Sequence, residues 1–420
     1  MSKVYEINGR PKMEGTIKVQ GSKNSALAII TASLLANDVV TLENVPNIKD
    51  IQELLQIIKK LNGKISFIEN NLIIDSSELV YDSLLFKEIK KFRASYYFIG
   101  VFLSLFGKVE IYLPGGCKIG KRPIDQHIKG LNALNVNLCI TSDVLKANAL
   151  MIQGNEITLD IASVGATINL LLASLYASGK TIIKNAAKEP EIVDLIHFLN
   201  SMGADICGEG SSVLVVNPTK KLHKTSYKIM PDRIVTGTYL LYGTLLAKKL
   251  TLTNIYTQDN YALINLLVSL GAEMDIRKDK ITIYGLRRFV KANIKTDVYP
   301  EFPSDLQQIM TTFLFKGNGV SLVEETLFEN RFSFLNEIQK MGGRFFVFDN
   351  KALIIPSKLT SNVVSCQDLR GGAALLLACL LAEGTSILKN VEYIERGYEN
   401  IVEVLKSVHI DIKEIDIHEA

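Results

Sequence analysis

The chain has no pair of cysteines at a metal-ligand or redox spacing. Its five cysteines, Cys117, Cys139, Cys207, Cys366 and Cys379, are odd in number and widely separated. That argues against a disulfide framework and for reduced thiols in a cytoplasm. The five histidines form no HExxH or other ligand spacing, so neither a dedicated metal site nor a metal cofactor is expected. An excess of one charge is also missing. A net charge of +3 with no Lys/Arg block offers no basic surface for nucleic acid, so any recognition of anions has to be local. The longest apolar runs, such as Ala373 to Ala382, fall well short of the ~20 residues a membrane-spanning helix needs. The opening Met1-Ser2-Lys3-Val4-Tyr5-Glu6 lacks the apolar core of a secretory signal. Together these absences predict a cytoplasmic protein with neither membrane nor nucleic acid as partner.

A length of 420 residues, 47% apolar and 22% charged, predicts a globular chain of two domains of about 200 residues each. Self-comparison supplies the architecture. An apolar helical segment followed by a short β-like run recurs six times, opening at Asn24-Ser25-Ala26, Ala94-Ser95-Tyr96, Gly165-Ala166-Thr167, Thr236-Gly237-Thr238, Leu306-Gln307-Gln308 and Gly371-Gly372-Ala373. A second, amphipathic helix recurs after each, closing on Leu61-Asn62-Gly63, Leu134-Asn135-Val136, Met202-Gly203-Ala204, Leu270-Gly271-Ala272, Met341-Gly342-Gly343 and Val408-His409-Ile410. Glycine stands where a helix C-cap is expected, although two copies lack it. A period of about 70 residues is longer than solenoid repeats and predicts six βαβ-like units. The first helix of each unit is apolar on nearly every face, as in Ala26 to Leu35, and such a helix is buried all round. The second has a polar face, as in Asp50-Ile51-Gln52-Glu53-Leu54-Leu55. The expected fold class is therefore α/β, with two similar domains of three units, each domain wrapped around three buried helices.

Chemistry gathers in two places. The loop Pro114-Gly115-Gly116-Cys117-Lys118-Ile119-Gly120-Lys121-Arg122-Pro123 joins a thiol to three cations on a glycine-rich backbone. Cations make a thiol reactive, and glycines let main-chain N–H groups approach an anion; a surface turn with an idle cysteine fits the same residues. Charged and polar residues also recur where the buried helices begin: Lys23-Asn24, Arg93, Ser163, Asp232-Arg233, Asp305 and Asp368-Leu369-Arg370. For Ser163, Asp232, Asp305 and Asp368 simple helix capping is at least as good an explanation. Lys23, Arg93 and Arg370 are poor residues for a helix N-terminus, where cations are disfavoured, and a bound anion is the simplest reason for them. From the residues alone, Arg331 and Arg396 read as plain surface arginines.

In order along the chain stand Gly21-Ser22-Lys23-Asn24-Ser25-Ala26, the Pro114 to Pro123 loop, Ser163-Val164-Gly165-Ala166-Thr167, Asn185-Ala186-Ala187-Lys188-Glu189-Pro190-Glu191, Pro231-Asp232-Arg233, Phe302-Pro303-Ser304-Asp305, Phe328-Glu329-Asn330-Arg331-Phe332 and Asp368-Leu369-Arg370. This ordered set spans essentially the whole chain and resembles the UDP-N-acetylglucosamine 1-carboxyvinyltransferase family, the enolpyruvyl transferases of peptidoglycan synthesis. The resemblance implies two inside-out α/β barrels, residues 23–230 forming one and 1–22 with 231–420 the other, and an active site in the cleft between them. It implies transfer of the enolpyruvyl group of phosphoenolpyruvate to the 3′-hydroxyl of UDP-N-acetylglucosamine, with release of phosphate. Both substrates are small molecules, no cofactor is needed, and the oligomeric state is left open.

By the same resemblance Cys117 is the acid at C3 of phosphoenolpyruvate, able also to form a covalent adduct, and Asp305 takes the proton of the sugar hydroxyl. Lys23, Asn24, Arg122 and Arg396 hold phosphoenolpyruvate. Arg93, Arg122, Pro123, Ile124, Asp125, Gln126, Ile161, Ala162, Ser163, Val164, Asp305 and Leu327 line the sugar-nucleotide site, with Asp232, Arg331, Asp368 and Arg370 in support. Three positions depart from the family pattern. Ile161 replaces a frequent Lys, Gln126 the usual Leu, and Val235 an acidic residue. The first removes a cation from the diphosphate region and is expected to weaken nucleotide binding.

Overall fold

A computed structural model describes residues 2–82, 93–112, 124–141, 143–287 and 291–417. Cys117, Lys118, Lys121, Arg122 and Pro123 lie outside the described residues, and Arg93 is described for its backbone only. Among the described residues the strands form six sheets, and the chain divides into two units. Of the described residues, those up to Gln20 and from Pro231 onward form one, and those between Gly21 and Met230 form the other.

Each unit has its own core, built around three helices that present apolar side chains in every direction. In the Gly21–Met230 unit they are Lys23–Ser33, Phe98–Phe106 and Val164–Ser174. The second follows a short 3-10 turn, Arg93–Tyr97, which takes up the residues that open this copy in the sequence. In the other unit the helices are Arg233–Leu246, Ser304–Leu314 and Leu369–Leu381. The amphipathic helices show the opposite character. In Lys49–Lys60 the buried positions are Asp50, Ile51, Leu54, Leu55, Ile57 and Ile58, one stripe at helical spacing that leaves Gln52, Glu53 and Gln56 to solvent. No helix among the described residues is long and apolar enough to cross a membrane.

The sixfold repeat is also written in the backbone. The residue that follows the last apolar position of each amphipathic helix is left-handed in all six copies: Asn62 (φ 70°), Asn135 (62°), Gly203 (98°), Gly271 (98°), Gly342 (88°) and His409 (66°). In the first copy the left-handed residue is Asn62 rather than the neighbouring Gly63. At five of the six the next N–H reaches back to close the helix, Gly63 to the Ile58 carbonyl (2.9 Å) and Val136 to Leu131, Ala204 to Leu199, Gly343 to Ile338 and Ile410 to Leu405 (3.1 Å each). This is the geometry of a helix closed by a left-handed C-cap.

Sheet topology shows what ties the first twenty residues to the far end of the chain. Within a repeat, the strand before the buried helix pairs in parallel with the strand after it, as Glu156–Thr158 does with Thr181–Lys184 and Val363–Ser365 with Thr385–Lys389. The first and fourth repeats have exchanged these leading strands. Met13–Lys18 pairs with Ala247–Thr253, and Ser226–Lys228 pairs with Val39–Glu43. A left-handed asparagine fastens each exchanged strand: Asn254 donates to the Val19 carbonyl (2.6 Å) and Asn44 to that of Ile229 (2.9 Å). Ser2–Asn8 completes the last sheet, antiparallel to both Thr385–Lys389 and Ile412–Ile417.

Candidate active site

In the unit that includes the C-terminal half, all three buried helices begin beside an aspartate. Asp232 and Asp368 are the N-caps of Arg233–Leu246 and Leu369–Leu381. Asp232 Oδ1 accepts from the backbone N–H groups of Ile234 and Val235 (2.9 Å each), and Asp368 Oδ1 from those of Arg370 (3.0 Å) and Gly371 (2.9 Å). Capping therefore explains both. Asp305 stands one residue inside its helix, after Ser304. Its Oδ1 accepts from Arg331 Nη2 at 2.8 Å and its Oδ2 from Arg370 Nη2 at 3.0 Å. Arg331 is only 2% exposed and Arg370 7%, whereas Asp305 keeps 32% of its side chain open.

This geometry sets the protonation state. Burial acts to raise the Asp305 carboxyl, but the charges of Arg370 and then Arg331, with their hydrogen bonds, outweigh it and hold the group well below the usual carboxylate range. Asp305 is an anion throughout the neutral range, and among the described residues each oxygen meets one guanidinium, leaving a lone pair for another donor. The guanidinium of Arg331 also lies over the Phe328 ring, 4.7 Å from its centroid. Arg331 is thus no surface residue. The cation at the start of the Leu369–Leu381 helix has a protein carboxylate as its partner, so a bound anion is not needed to explain Arg370. Arg396 ends the 3-10 segment Val391–Arg396 and is half-buried.

A second acidic group shapes this region. Glu325 follows the strand Ser321–Glu324 and is 1% exposed. Its carboxylate accepts the Ser304 hydroxyl at 2.8 Å from each oxygen, and Oε1 also accepts the N–H groups of Leu327 (2.9 Å) and Phe328 (3.2 Å). Leu327 itself is exposed.

In the Gly21–Met230 unit the helix starts are chemically different. Ser22 and Ser163 cap Lys23–Ser33 and Val164–Ser174 through their hydroxyls. Lys23 Nζ lies 2.5 Å from Asp50 Oδ2, both largely buried. The cation at this helix start again has an internal carboxylate, supplied by the first turn of Lys49–Lys60. Asn24, half-buried, is the next residue. Asp194 accepts from the Ser25 hydroxyl, from Tyr227 Oη (2.7 Å) and from the Met230 N–H (3.3 Å). It fixes the start of Lys23–Ser33 against the segment where the chain leaves the unit.

The two described stretches of the expected nucleotide site meet at Asp160. Ile124 is the N-cap residue of the helix Asp125–Ala133. Gln126, 4% exposed, donates through Nε2 to Asp125 (2.7 Å) and Asp160 (3.2 Å), and its Oε1 accepts the Asp160 N–H (2.8 Å). Lys129 Nζ lies 2.5 Å from Asp160 Oδ1. The Gln126 side chain is thus directed at the protein and locks Ile124–Gln126 to the segment Ile161–Val164. Within that segment Ile161 is 58% exposed and Ala162, Ser163 and Val164 are half-buried. The adjacent His127 is buried, and that burial pushes its imidazole down to about 4. It is a neutral packing group at physiological pH.

Asp50, Asp160, Asp194 and Glu325 were not among the candidates read from sequence, yet three of them carried a signal. Asp50 and Asp194 fall on the buried stripe of amphipathic helices, and Glu325 on the buried phase of a strand alternation. An acid at an inward position demands a partner.

The comparisons with known proteins agree with this fold and layout. The EPSP synthase (3-phosphoshikimate 1-carboxyvinyltransferase) family model matches residues 7–405. UDP-N-acetylglucosamine 1-carboxyvinyltransferase 2 of Staphylococcus aureus is 43% identical over 410 residues, covering 97% of this chain and 98% of its own length. The protein of the same name from Listeria innocua is 42% identical over 407 residues, covering 97% and 96%. Among solved structures, the enolpyruvyl transferase NikO from Streptomyces tendae superposes with a TM-score of 0.87 at 23% identity, covering 98% of this chain and 99% of its own. EPSP synthase from Acinetobacter baumannii gives 0.75 at 15%, covering 99% and 100%. The fold, six α/β repeats in two units around buried helices, is thus that of the enolpyruvyl transferases. By sequence, the chain belongs to the EPSP synthase family and, within it, to the UDP-N-acetylglucosamine 1-carboxyvinyltransferases.

Proposed function

We propose that the chain transfers the enolpyruvyl group of phosphoenolpyruvate to the 3′-hydroxyl of UDP-N-acetylglucosamine and releases phosphate, the first committed step of peptidoglycan synthesis. The observation that carries this function is the Asp305 carboxylate, ionised, partly open and clamped between Arg331 and Arg370. The reaction adds a proton to C3 of phosphoenolpyruvate while the sugar oxygen attacks C2. Elimination then removes a proton from C3 and breaks the bond from C2 to the phosphate oxygen. Addition therefore needs one group to accept the hydroxyl proton and another to give a proton to carbon.

Asp305 is the acceptor. Two guanidiniums hold it in one orientation and leave it a weak base, so the proton does not rest there. Its transfer accompanies C–O bond formation, when the hydroxyl becomes acidic, and the proton then passes from the partly open carboxyl to water. Cys117 is the donor, and Lys118, Lys121 and Arg122 around it favour its thiolate until an anionic substrate offsets their charge. Lys23, fixed by Asp50, joins Asn24, Arg122 and Arg396 around phosphoenolpyruvate, where cations steady the charge that develops as phosphate leaves. Arg93, Arg122 to Gln126 and Ile161 to Val164 receive the sugar nucleotide, with Gln126 acting through Asp160 rather than on the ligand. Asp232 and Asp368 support the site by capping. Both substrates are small molecules, and the chemistry needs no metal or organic cofactor. Widely spaced cysteines and substrates of this class support a cytoplasmic location.

The test is phosphate release from phosphoenolpyruvate. Release that requires UDP-N-acetylglucosamine, does not occur with shikimate 3-phosphate, and collapses in Cys117→Ser and in Asp305→Asn is the expected result. Wild-type release that ignores the sugar nucleotide, or its absence, overturns the assignment.

A further inference from the structure

Glu325 joins two elements, the start of the helix Ser304–Leu314 and the turn at residues 327–328. The helix Ser304–Leu314 has Pro303 at its N-cap position, with no side-chain cap. Its two counterparts in the same unit are capped locally, by Asp232 and Asp368. Here a carboxylate from just beyond the strand Ser321–Glu324 reaches the helix start, accepting the Ser304 hydroxyl rather than a backbone N–H. Both Glu325 oxygens take the Ser304 hydroxyl, and Oε1 takes the Leu327 and Phe328 amides. The backbone N–H of Glu325 is itself bonded to the Asn350 carbonyl (2.8 Å). One buried side chain thus ties the residue before Asp305 to the turn that leads into Arg331, and Phe328 of that turn lies under the Arg331 guanidinium.

We infer that Glu325 is a positioning residue of the transfer reaction, setting Asp305 and Arg331 relative to each other through Ser304 and the 327–328 backbone. The inference rests on the role proposed above for Asp305. A carboxylate buried to 1% exposure with only neutral donors on it in the described contacts is costly in desolvation unless each bond is made, so stability alone gives little reason for an acid here. Geometry gives one. Fastened to the Ser304 hydroxyl and to the 327–328 amides, the Glu325 carboxylate holds the first turn of Ser304–Leu314 where both Asp305 oxygens meet the arginines. A neutral amide of the same shape can accept the Leu327 and Phe328 N–H groups through its oxygen and donate to Ser304 through its nitrogen, so Gln keeps the tie and Ala removes it.

The test compares wild type, Glu325→Ala, Glu325→Gln and Ser304→Ala by steady-state phosphate release and by amide hydrogen exchange. A displaced catalytic group costs up to roughly 100-fold in rate. The expected result is a fall in kcat of about 10- to 100-fold for Glu325→Ala, with KM for either substrate changed less than about threefold, and recovery to within about threefold of wild type in Glu325→Gln. Exchange at Leu327 and Phe328 should quicken at least about tenfold in Glu325→Ala while protection in Leu369–Leu381 is kept. Unchanged kcat in folded Glu325→Ala, or unchanged exchange at 327–328, overturns the inference. So does an activity loss that Gln fails to restore although its exchange is as in wild type. If Glu325→Ala does not fold, Ser304→Ala decides, with a smaller kcat loss expected and none overturning the idea. A wild type that releases no phosphate refutes the function instead, and the exchange comparison still tests the tie.

Discussion

Asp305 and Asp368 open neighbouring buried helices of the same unit, and they do opposite things. Asp368 stands just before its helix and spends its carboxylate on two backbone N–H groups of the first turn. Asp305 stands one residue inside and gives its oxygens to Arg331 and Arg370. A shift of two positions along the helix start separates a cap, which stabilises locally, from a charged group aimed at other side chains. The Gly21–Met230 unit extends the contrast. Two of its three buried helices start on serine hydroxyls, and the ion pair at one of these starts, Lys23 with Asp50, reverses the signs. One unit thus holds a clamped anion at a helix start and the other a clamped cation.

The largest effect expected from breaking this contrast is at Asp305 itself. Asp305→Asn should lower phosphate release by roughly 10²- to 10⁴-fold, the range for loss of a general base, whereas Asp368→Ala should change kcat per folded molecule less than tenfold. Steady-state assays corrected for folded fraction check both. Asp368→Ala should instead lose about 1–2 kcal/mol of stability as a lost cap, read by denaturant unfolding. Equal activity losses in the two would remove the distinction.

Replacing Arg331 tests the clamp. In Arg331→Met the Asp305 carboxyl loses one of the two cations that depress it, so its pKa rises and the acidic limb of kcat/KM moves to higher pH. The sign for stability follows from the same depression. Ionised Asp305 contributes stability that is complete above the unfolded-state value of about 4 and disappears as pH falls through the lower folded-state value. The stability gap between wild type and Arg331→Met should therefore be full near neutrality and shrink in acid, as urea unfolding across pH would show. An acidic limb that stays in place would show that Asp305 is not the group titrating in kcat/KM.

A smaller effect is expected at the Gln126 clasp. Gln126→Leu removes the two hydrogen bonds to Asp160, each worth about 1 kcal/mol, and should raise KM for UDP-N-acetylglucosamine about 3- to 10-fold with kcat nearly unchanged. If the family's usual leucine instead improves affinity, the clasp substitutes poorly for what it displaced. The smallest effect is at the far ends of the helices. His409 holds a left-handed conformation that costs a non-glycine residue roughly 1 kcal/mol, so His409→Gly should raise the unfolding midpoint slightly and leave kinetics alone.

Much of this molecule was legible in its sequence because the signals are local. The six buried helices, the amphipathic helices and their C-caps follow from the spacing of apolar residues and from Gly or Asn at the helix end, forces that act within a few turns of chain. Even there His409 carried no signal, since nothing in its side chain requests a left-handed backbone; only its place in the repeat does. The chemistry of Cys117 and Asp305 came from an ordered set of motifs, and neither residue alone distinguishes a catalyst from a surface thiol or a cap.

Sequence alone determined the repeat count, the α/β class and the helix starts as the places where charge gathers. Tertiary structure alone decided the partners. Arg370 faces Asp305 rather than a bound anion, Lys23 faces Asp50, Glu325 reaches Ser304, and Met13–Lys18 completes a sheet with Ala247–Thr253. Each of these joins residues more than twenty positions apart. Hydrophobic periodicity specifies which face of an element is buried, but not which distant element covers it. Which buried charge meets which is settled only when the three helices of a unit pack and every ion taken out of water must find its counter-charge.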